Sequence, residues 1–532
     1  MISWELIFAI VPGLILFIYG IENFSKEILH TVGNNFRSIL SKMTKNPIKG
    51  TIFGAVATGI AQSSTAITVI TISLVNAGVI PFSQSLGVII GANIGTTVTS
   101  QLVALQLTSF APVILLLGFV IDIFGKRYKF LGKPIFYFGL VFFSLNLISL
   151  GITPYKDDPQ IIDIISKLSN IYLAIIVGAI LAFSFQSSSV ATGIVIVLAQ
   201  DGLMGITIAV PILIGANIGT TFTPVLTSLK MDLYARRAAI AHFIFNFGGA
   251  LIILPFLGVF EGAVINIGGS IAQQIANAHL LFNLIIAVIF LIIITPYRKL
   301  VEHLVPGTEK EIVFETKYLN DKFPLSNPKA IELIEKEIVN SFEITHELYK
   351  EAVNLLEKND DLLFQKVEKM ESLNDYLNKR IEGAILELSK RKLTKEQAEK
   401  ISLLVRMSNE IERIGDSCRD ISEISKKYFT AKKLLSPEII ISQKEIQQKI
   451  EENFIILSKI IPKISKREVK MIRENDIEIR NRINKGYSMH IAMIRKEGDD
   501  LDSIFLEIIS INENINSKNR EIRKLAEEYS QL

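Results

Sequence analysis

Long apolar stretches fill the first three hundred positions, interrupted by short polar segments. They run to roughly 17–30 residues, enough to cross a hydrocarbon core about 30 Å thick at about 1.5 Å per residue. After Val305 the pattern changes, and apolar residues recur at helical spacing among Lys and Glu, as in helices that bury one face. The pattern predicts an all-α chain with a polytopic membrane part over 1–304, a linker over 305–327 and a soluble helical domain over 328–532. Charge divides at the same point: of 109 charged side chains only 27 precede Val305, leaving 82 in the last 228 positions.

The membrane part repeats itself. Residues 54–105 contain GAVATGIAQSSTAITVI and GVIIGANIGTTVTSQL, and residues 178–229 contain GAILAFSFQSSSVATGI and PILIGANIGTTFTPVL, with a constant offset of 124 positions. Gly13-Leu-Ile-Leu-Phe and Gly139-Leu-Val-Phe-Phe extend the likeness backwards. Repeat one thus covers about 4–124 and repeat two about 131–250, with an extra span at about 268–295.

Basic residues orient the repeats. Lys26, Arg37, Lys42, Lys45 and Lys49, then Lys126, Arg127, Lys129 and Lys133, then Lys230, Arg236 and Arg237 are expected on the cytoplasmic side. Asp157, Asp158, Asp163 and Glu261 are expected outside. The run ending near Gly20 and its counterpart ending near Leu150 then cross in opposite directions, which makes an inverted-topology repeat, the architecture of many secondary transporters. Residues 51–108 and 170–229 must each cross an odd number of times, yet each holds two apolar segments. One segment per repeat is therefore expected to be re-entrant or broken, tolerated only where protein or a watery cavity surrounds it.

No charged side chain lies between Thr51 and Ile121, and only Asp201 lies between Leu168 and Leu229. A site here must be built from neutral groups. Gln62, Ser63, Ser64 and Thr65, with Gln186, Ser187, Ser188 and Ser189, offer amides and hydroxyls that can donate to an anion or ligate a hard cation. Asn93, Thr96, Thr97, Asn217, Thr220 and Thr221 add more. The glycines of GANIGTT are expected to let the backbone approach a ligand or leave the helix. Without Lys or Arg, a multivalent anion would need co-bound cations to offset its desolvation. His242 to Asn246 and His279 to Asn283 read as helix-packing hydrogen-bond motifs, and Asp201 as a solvated loop carboxylate. The residues alone support a cation-coupled carrier for a polar or anionic solute.

A net charge of +3 with interspersed acids and bases argues against nucleic acid as a partner. The single cysteine, Cys418, excludes an intrachain disulfide and reads as a packing residue in a reducing compartment. The opening Met1 to Glu5 lacks the basic region of a signal peptide, so the first apolar run is expected to stay as a span. Neither a nucleotide-binding P-loop nor a metalloprotease His motif points to an enzyme.

The paired QSS motifs and their spacing to GANIGTT resemble the type II sodium/phosphate cotransporter family over roughly residues 4–300. The resemblance implies a multi-pass protein of the cytoplasmic membrane. It also implies that Gln62 to Thr65 and Gln186 to Ser189 line sites for sodium, as coupling ion, and inorganic phosphate, supported by the nearby threonines and asparagines. The first copy reads QSST where the family has QSSS, with Thr65 keeping a hydroxyl. Export, another oxyanion, or a transport-inactive phosphate receptor are the alternatives, and a homo-oligomer is compatible with the fold.

In the soluble part, six amphipathic helices are expected, with breaks near Asn359 to Asp361, Lys392 to Lys395, Ser436-Pro437, Pro462 to Lys466 and Gly498 to Asp500. Glu412, Asp416 and Asp420 share one helical face, where like charges repel and favour a cation. Glu412-Arg-Ile-Gly-Asp416 resembles the signature of PhoU domains. That resemblance implies a cytoplasmic, regulatory helical bundle with a divalent or transition metal held by Glu371, Asp375, Glu412, Asp416 and Asp420. The corresponding late helix, FLEIISINENINSK, lacks the acidic pair.

Overall fold

The computed structural model describes residues 4–32, 46–105, 107–319, 323–430, 437–459, 464–497 and 501–532. Arg37, Lys42, Lys45 and the breaks at Ser436, Pro462 and 498–500 lie outside them. The described residues are helical, without strands, and form two units, Met1–Glu311 and Ile312–Leu532.

The membrane unit begins with α1 (Trp4–Val32), α2 (Pro47–Ala61), α3 (Ser64–Asn76), α4 (Phe82–Ala104) and α5 (Ala111–Phe124). The second repeat supplies α6 (Lys129–Ile152), α7 (Pro159–Lys167), α8 (Ile171–Ser184), α9 (Ser188–Gln200), α10 (Ile206–Gly219), α11 (Phe222–Ser228) and α12 (Leu233–Ile253). Then follow α13 (Leu257–Ile267), α14 (Ile271–Ile292) and α15 (Ile294–Leu304). Among the described residues seven helices are long and apolar enough to cross a membrane, or eight if α7 and α8, bent by 101°, make one span. The helices of this unit expose large apolar side chains such as Ile52, Val56, Leu116, Ile176 and Val259, a surface suited to lipid.

Local chemistry starts these helices where the sequence breaks. Asn46 caps α2, its side chain accepting from Ile48 N at 2.8 Å with Pro47 in the first turn, and Asn170 caps α8 by accepting from Tyr172 N and Leu173 N.

Glycine positions reveal how the helices run. A Cβ on Gly91 would lie 2.0 Å from Thr51 O, and one on Gly95 2.4 Å from Ala55 O. In repeat two, Gly215 meets Ile175 O at 2.0 Å and Gly219 meets Ala179 O at 2.2 Å. In both repeats the partners rise together along the chain, so α2 runs parallel to α4 and α8 parallel to α10. The helix between each parallel pair, α3 or α9, must return to the level where the pair began. At 13 residues each spans only about 20 Å at 1.5 Å per residue, too short to cross. The re-entrant hairpins are therefore α2–α3 and α8–α9. Gly13 against Ile148, Gly20 against Val141 and Gly151 against Ala9 make α1 and α6 antiparallel, as inversion of the repeats requires.

These contacts give the glycines of GANIGTT a packing role: they admit the backbone of a neighbouring helix. The α4 helix runs unbroken through its copy. In repeat two the helix stops at Gly219, five residues before Pro224, because proline cannot donate to Thr220 O four residues back and crowds it.

After α15 the chain stays fastened to α12: Arg237 donates to Val305 O at 3.1 Å and Gly307 O at 3.4 Å, and Tyr234 donates to Glu309 O at 2.9 Å. The second unit is a bundle of α16 (Asn327–Asn354), α17 (Asp361–Ser389), α18 (Lys395–Thr430), α19 (Pro437–Leu457), α20 (Lys466–Glu497) and α21 (Leu501–Tyr529). Its core includes Tyr349, Phe454, Phe505 and Cys418, all fully buried, so the cysteine packs. The buried Glu337 carboxylate accepts from the backbone N–H groups of Lys317, Tyr318 and Leu319, which ties the entering segment to α16.

Candidate functional site

Both hairpins turn at the QSS motif. Gln62 and Gln186 adopt left-handed backbone, φ 56° and 52°, a conformation that costs a non-glycine residue roughly 1–2 kcal/mol. Glycine would fit at less cost, so the retained amides point to a use for the side chain. The next residue starts the returning helix: Ser63 Oγ accepts from Ala66 N at 3.2 Å, and Ser187 Oγ accepts from Val190 N at 3.3 Å.

The two turns, 124 positions apart in sequence, meet in space. Thr65 Oγ1 donates to Gln186 O at 3.1 Å. Thr99 Oγ1 donates to Gln62 Oε1 at 2.6 Å and accepts from Ser189 Oγ at 3.3 Å. Gln62 Nε2 donates to Gly59 O. Two half-helix N-termini, those of α3 and α9, thus converge on one polar locus without a side-chain charge. Their free N–H groups and positive dipole ends favour an anion.

The remaining sequence candidates flank this locus on α4 and at the end of α10. Thr96, Thr97, Thr220 and Thr221 are buried and donate to carbonyls of their own helix. Each hydroxyl hydrogen is engaged in this way, while the oxygen keeps lone pairs suited to a hard cation. Asn93 Nδ2 donates to Ile89 O at 2.8 Å, whereas Asn217 Oδ1 lies 3.1 Å from His279 Nε2. Ser64 and Ser188 are buried beside the turns. The copies also differ in access: Gln62 is 7% exposed, whereas Gln186 is an exposed residue.

Thr99 and Ser100, just past GANIGTT, escaped the sequence reading, whereas His279, on α14 beyond both repeats, was read as a helix-packing hydrogen-bond residue and does bond to neighbouring helices. Thr68 and Thr192 were legible in principle, since they stand 124 positions apart, each six residues after its glutamine. Both hydroxyls are buried without a hydrogen-bond partner. Asp201 is not a free loop carboxylate: it accepts from Ser149 Oγ at 2.9 Å, and its other oxygen is buried.

In the helical bundle, Arg419 donates to Glu371 and, at 2.9 Å, to Asp416. Burial raises the carboxyls of Glu371, Glu412 and Asp420 above their ordinary range; the Arg419 charge opposes this at Glu371 and Asp420, and neighbouring Asp416 adds to it at Glu412. Among the described residues no group of three or more His, Cys, Asp or Glu is placed to hold a metal ion. An arginine stands where the acidic face was expected to draw a cation.

The Na+/Pi-cotransporter family profile matches residues 16–150 and 159–253, and the PhoU domain profile matches residues 338–425. The chain is 31% identical over 296 residues to the uncharacterized protein YqeW of Bacillus subtilis, covering 55% of this chain and 96% of that one. It is 24% identical over 287 residues to the putative inorganic phosphate export protein YjbB of Escherichia coli, about half of each chain at 53%. Over 85 residues it is 44% identical to the human sodium-dependent phosphate transport protein 2C, 15% of this chain and 14% of the relative. No solved structure matches.

Proposed function

Because the chain belongs to the Na+/Pi-cotransporter family and carries a PhoU domain after its membrane unit, we propose that it is a carrier, not an enzyme, moving inorganic phosphate across the cytoplasmic membrane coupled to sodium. The meeting of the two QSS turns carries this reading: Thr65 of one repeat bonds to Gln186 of the other, and Thr99 links Gln62 to Ser189.

In this reading Gln62, Ser63, Ser64, Thr65, Gln186, Ser187, Ser188 and Ser189 receive phosphate and sodium between two helix N-termini, and Asn93, Thr96, Thr97, Asn217, Thr220 and Thr221 complete the shell. Helix dipoles and neutral donors suit the anion, but they do not neutralise it. Sodium ions held by hydroxyl and amide oxygens supply the missing charge, so neither ligand binds well alone and transport is coupled. The unequal exposure of Gln62 and Gln186 supports alternating access, since inverted repeats that exchange such conformations open the site to opposite sides. Lys126, Arg127, Lys129, Lys133, Lys230, Arg236 and Arg237 support a cytoplasmic side for the intervening loops, and the parity of the spans supports the same side for the helical bundle. There the bundle acts as a regulator.

The test is radiolabelled phosphate uptake into proteoliposomes under an inward sodium gradient, with potassium substituted for sodium as control. Sodium-dependent uptake that is abolished in both Gln62→Ala and Gln186→Ala supports the reading. Saturable phosphate binding without uptake would move the assignment to a receptor.

A further inference from the structure

The two GANIGTT copies have the same sequence but not the same hydrogen bonds. Asn93 turns back onto its own helix at Ile89 O, while the equivalent Asn217 is held off its helix by His279. The imidazole is 1% exposed and bridges the repeats: Ser100 Oγ of α4 lies 2.7 Å from Nδ1, and Asn217 Oδ1 of α10 lies 3.1 Å from Nε2. Two further bonds seat α14 against α4, with Gln101 donating to Asn277 Oδ1 at 3.2 Å and Gln273 donating to Gln101 Oε1 at 3.0 Å. The position equivalent to Ser100 in repeat two is Pro224, which has no hydroxyl, so only one such bridge can form.

We propose that His279 is a positioning residue that orients the Asn217 amide with its NH2 group free, so that Asn217 serves the anion and not the cation. A neutral imidazole accepts from Ser100 at Nδ1 and donates from Nε2 to Asn217 Oδ1. The amide oxygen is thereby turned toward the imidazole and the NH2 group away from it. Asn217 Nδ2 is buried and has no partner, and the residue is 4% exposed. A cavity of about 10 Å³ adjoins Asn217 and His279, and its other lining residues, among them Val210, Leu213, Ile214 and Phe282, are apolar, so nothing in it competes for the NH2 group, which is left for the anion. His279 lies beyond the residues matched by the cotransporter profile, which makes α14 a third contributor to a two-repeat site.

This inference rests on the sodium-coupled phosphate reading. The experiment measures uptake by the full-length protein in proteoliposomes for wild type, His279→Leu and His279→Gln, titrating phosphate and sodium separately. Leucine keeps the bulk and loses both bonds. Glutamine can accept from Ser100 through Oε1 and donate to Asn217 through Nε2. The expected result is a KM for phosphate raised about three- to tenfold in His279→Leu, restored by His279→Gln, with half-saturating sodium unchanged when measured at saturating phosphate. A shift in sodium activation instead of phosphate KM, no shift at all in a folded His279→Leu, or no rescue by glutamine would overturn it. Failure of the wild type to take up phosphate with sodium would instead sink the underlying functional reading.

Discussion

Thr99→Val isolates the contact that joins the repeats. The substitution keeps shape and β-branching and removes only the hydroxyl that donates to Gln62 Oε1 and accepts from Ser189 Oγ. All three residues are at least nine-tenths buried, Thr99 at 5%, Gln62 at 7% and Ser189 at 4% exposure, so water cannot simply replace the lost partner. Leaving a buried acceptor and a buried donor unpaired costs about 1–3 kcal/mol, which corresponds to roughly 5- to 150-fold in a binding or transition-state equilibrium. Sodium-dependent uptake at subsaturating phosphate should fall by that factor in Thr99→Val and stay near wild type in Thr99→Ser. Size-exclusion elution and thermal melting confirm that each variant is folded. A folded Thr99→Val protein transporting within about twofold of wild type would show that the Gln62 amide needs no such support and would refute the reasoning.

Other expectations follow from packing and charge. Gly215→Ala places a methyl 2.0 Å from Ile175 O, a clash with backbone, and should destabilise the membrane unit by roughly 1–3 kcal/mol or more, whereas Gly258→Ala, with open space around it, should not; thermal melting in detergent compares them. Burial pushes the Asp476 carboxyl up to about 6 against the pull of Arg520, Arg523 and Arg480. The native state therefore binds the extra proton, and stability is highest below the unfolded value near 3.8 and declines as pH rises to about 6. Asp476→Asn should then be more stable than wild type by about 1–2 kcal/mol at pH 8, after allowance for screening, with the gap closing by pH 4. Because Arg419 already bridges Glu371 and Asp416, millimolar manganese should leave the melting of the helical bundle unchanged, and a clear upward shift would show that the carboxylates gather a metal instead. Deleting residues 315–532 should preserve sodium-dependent uptake while altering its regulation, and loss of a folded membrane unit would assign the bundle a structural role.

The sequence by itself determined the division into two solvents, because charges cannot be spread through a membrane and must collect beyond Val305. It also determined the duplication, its inversion and the presence of one non-crossing segment per repeat, since these follow from counting residues, basic loops and an offset of 124 positions. Asn46, Pro47 and Asn170 start their helices through bonds to near neighbours, a purely local matter. Tertiary structure alone decided which groups face one another. A constant offset identifies equivalent residues but not the partners of either copy, and Thr65 with Gln186, Thr99 with Gln62, and His279 with both Ser100 and Asn217 are contacts across 37 to 179 positions. The glycines of GANIGTT show the same limit: their composition allowed a close approach, but only the tertiary structure shows that Thr51 and Ile175 are the groups that make it. Likewise the acidic face around Asp416 asked for a positive charge, but whether that charge is a metal or an arginine depends on where the Arg419 side chain lies relative to Glu371, a matter of packing between α17 and α18 that local spacing does not encode.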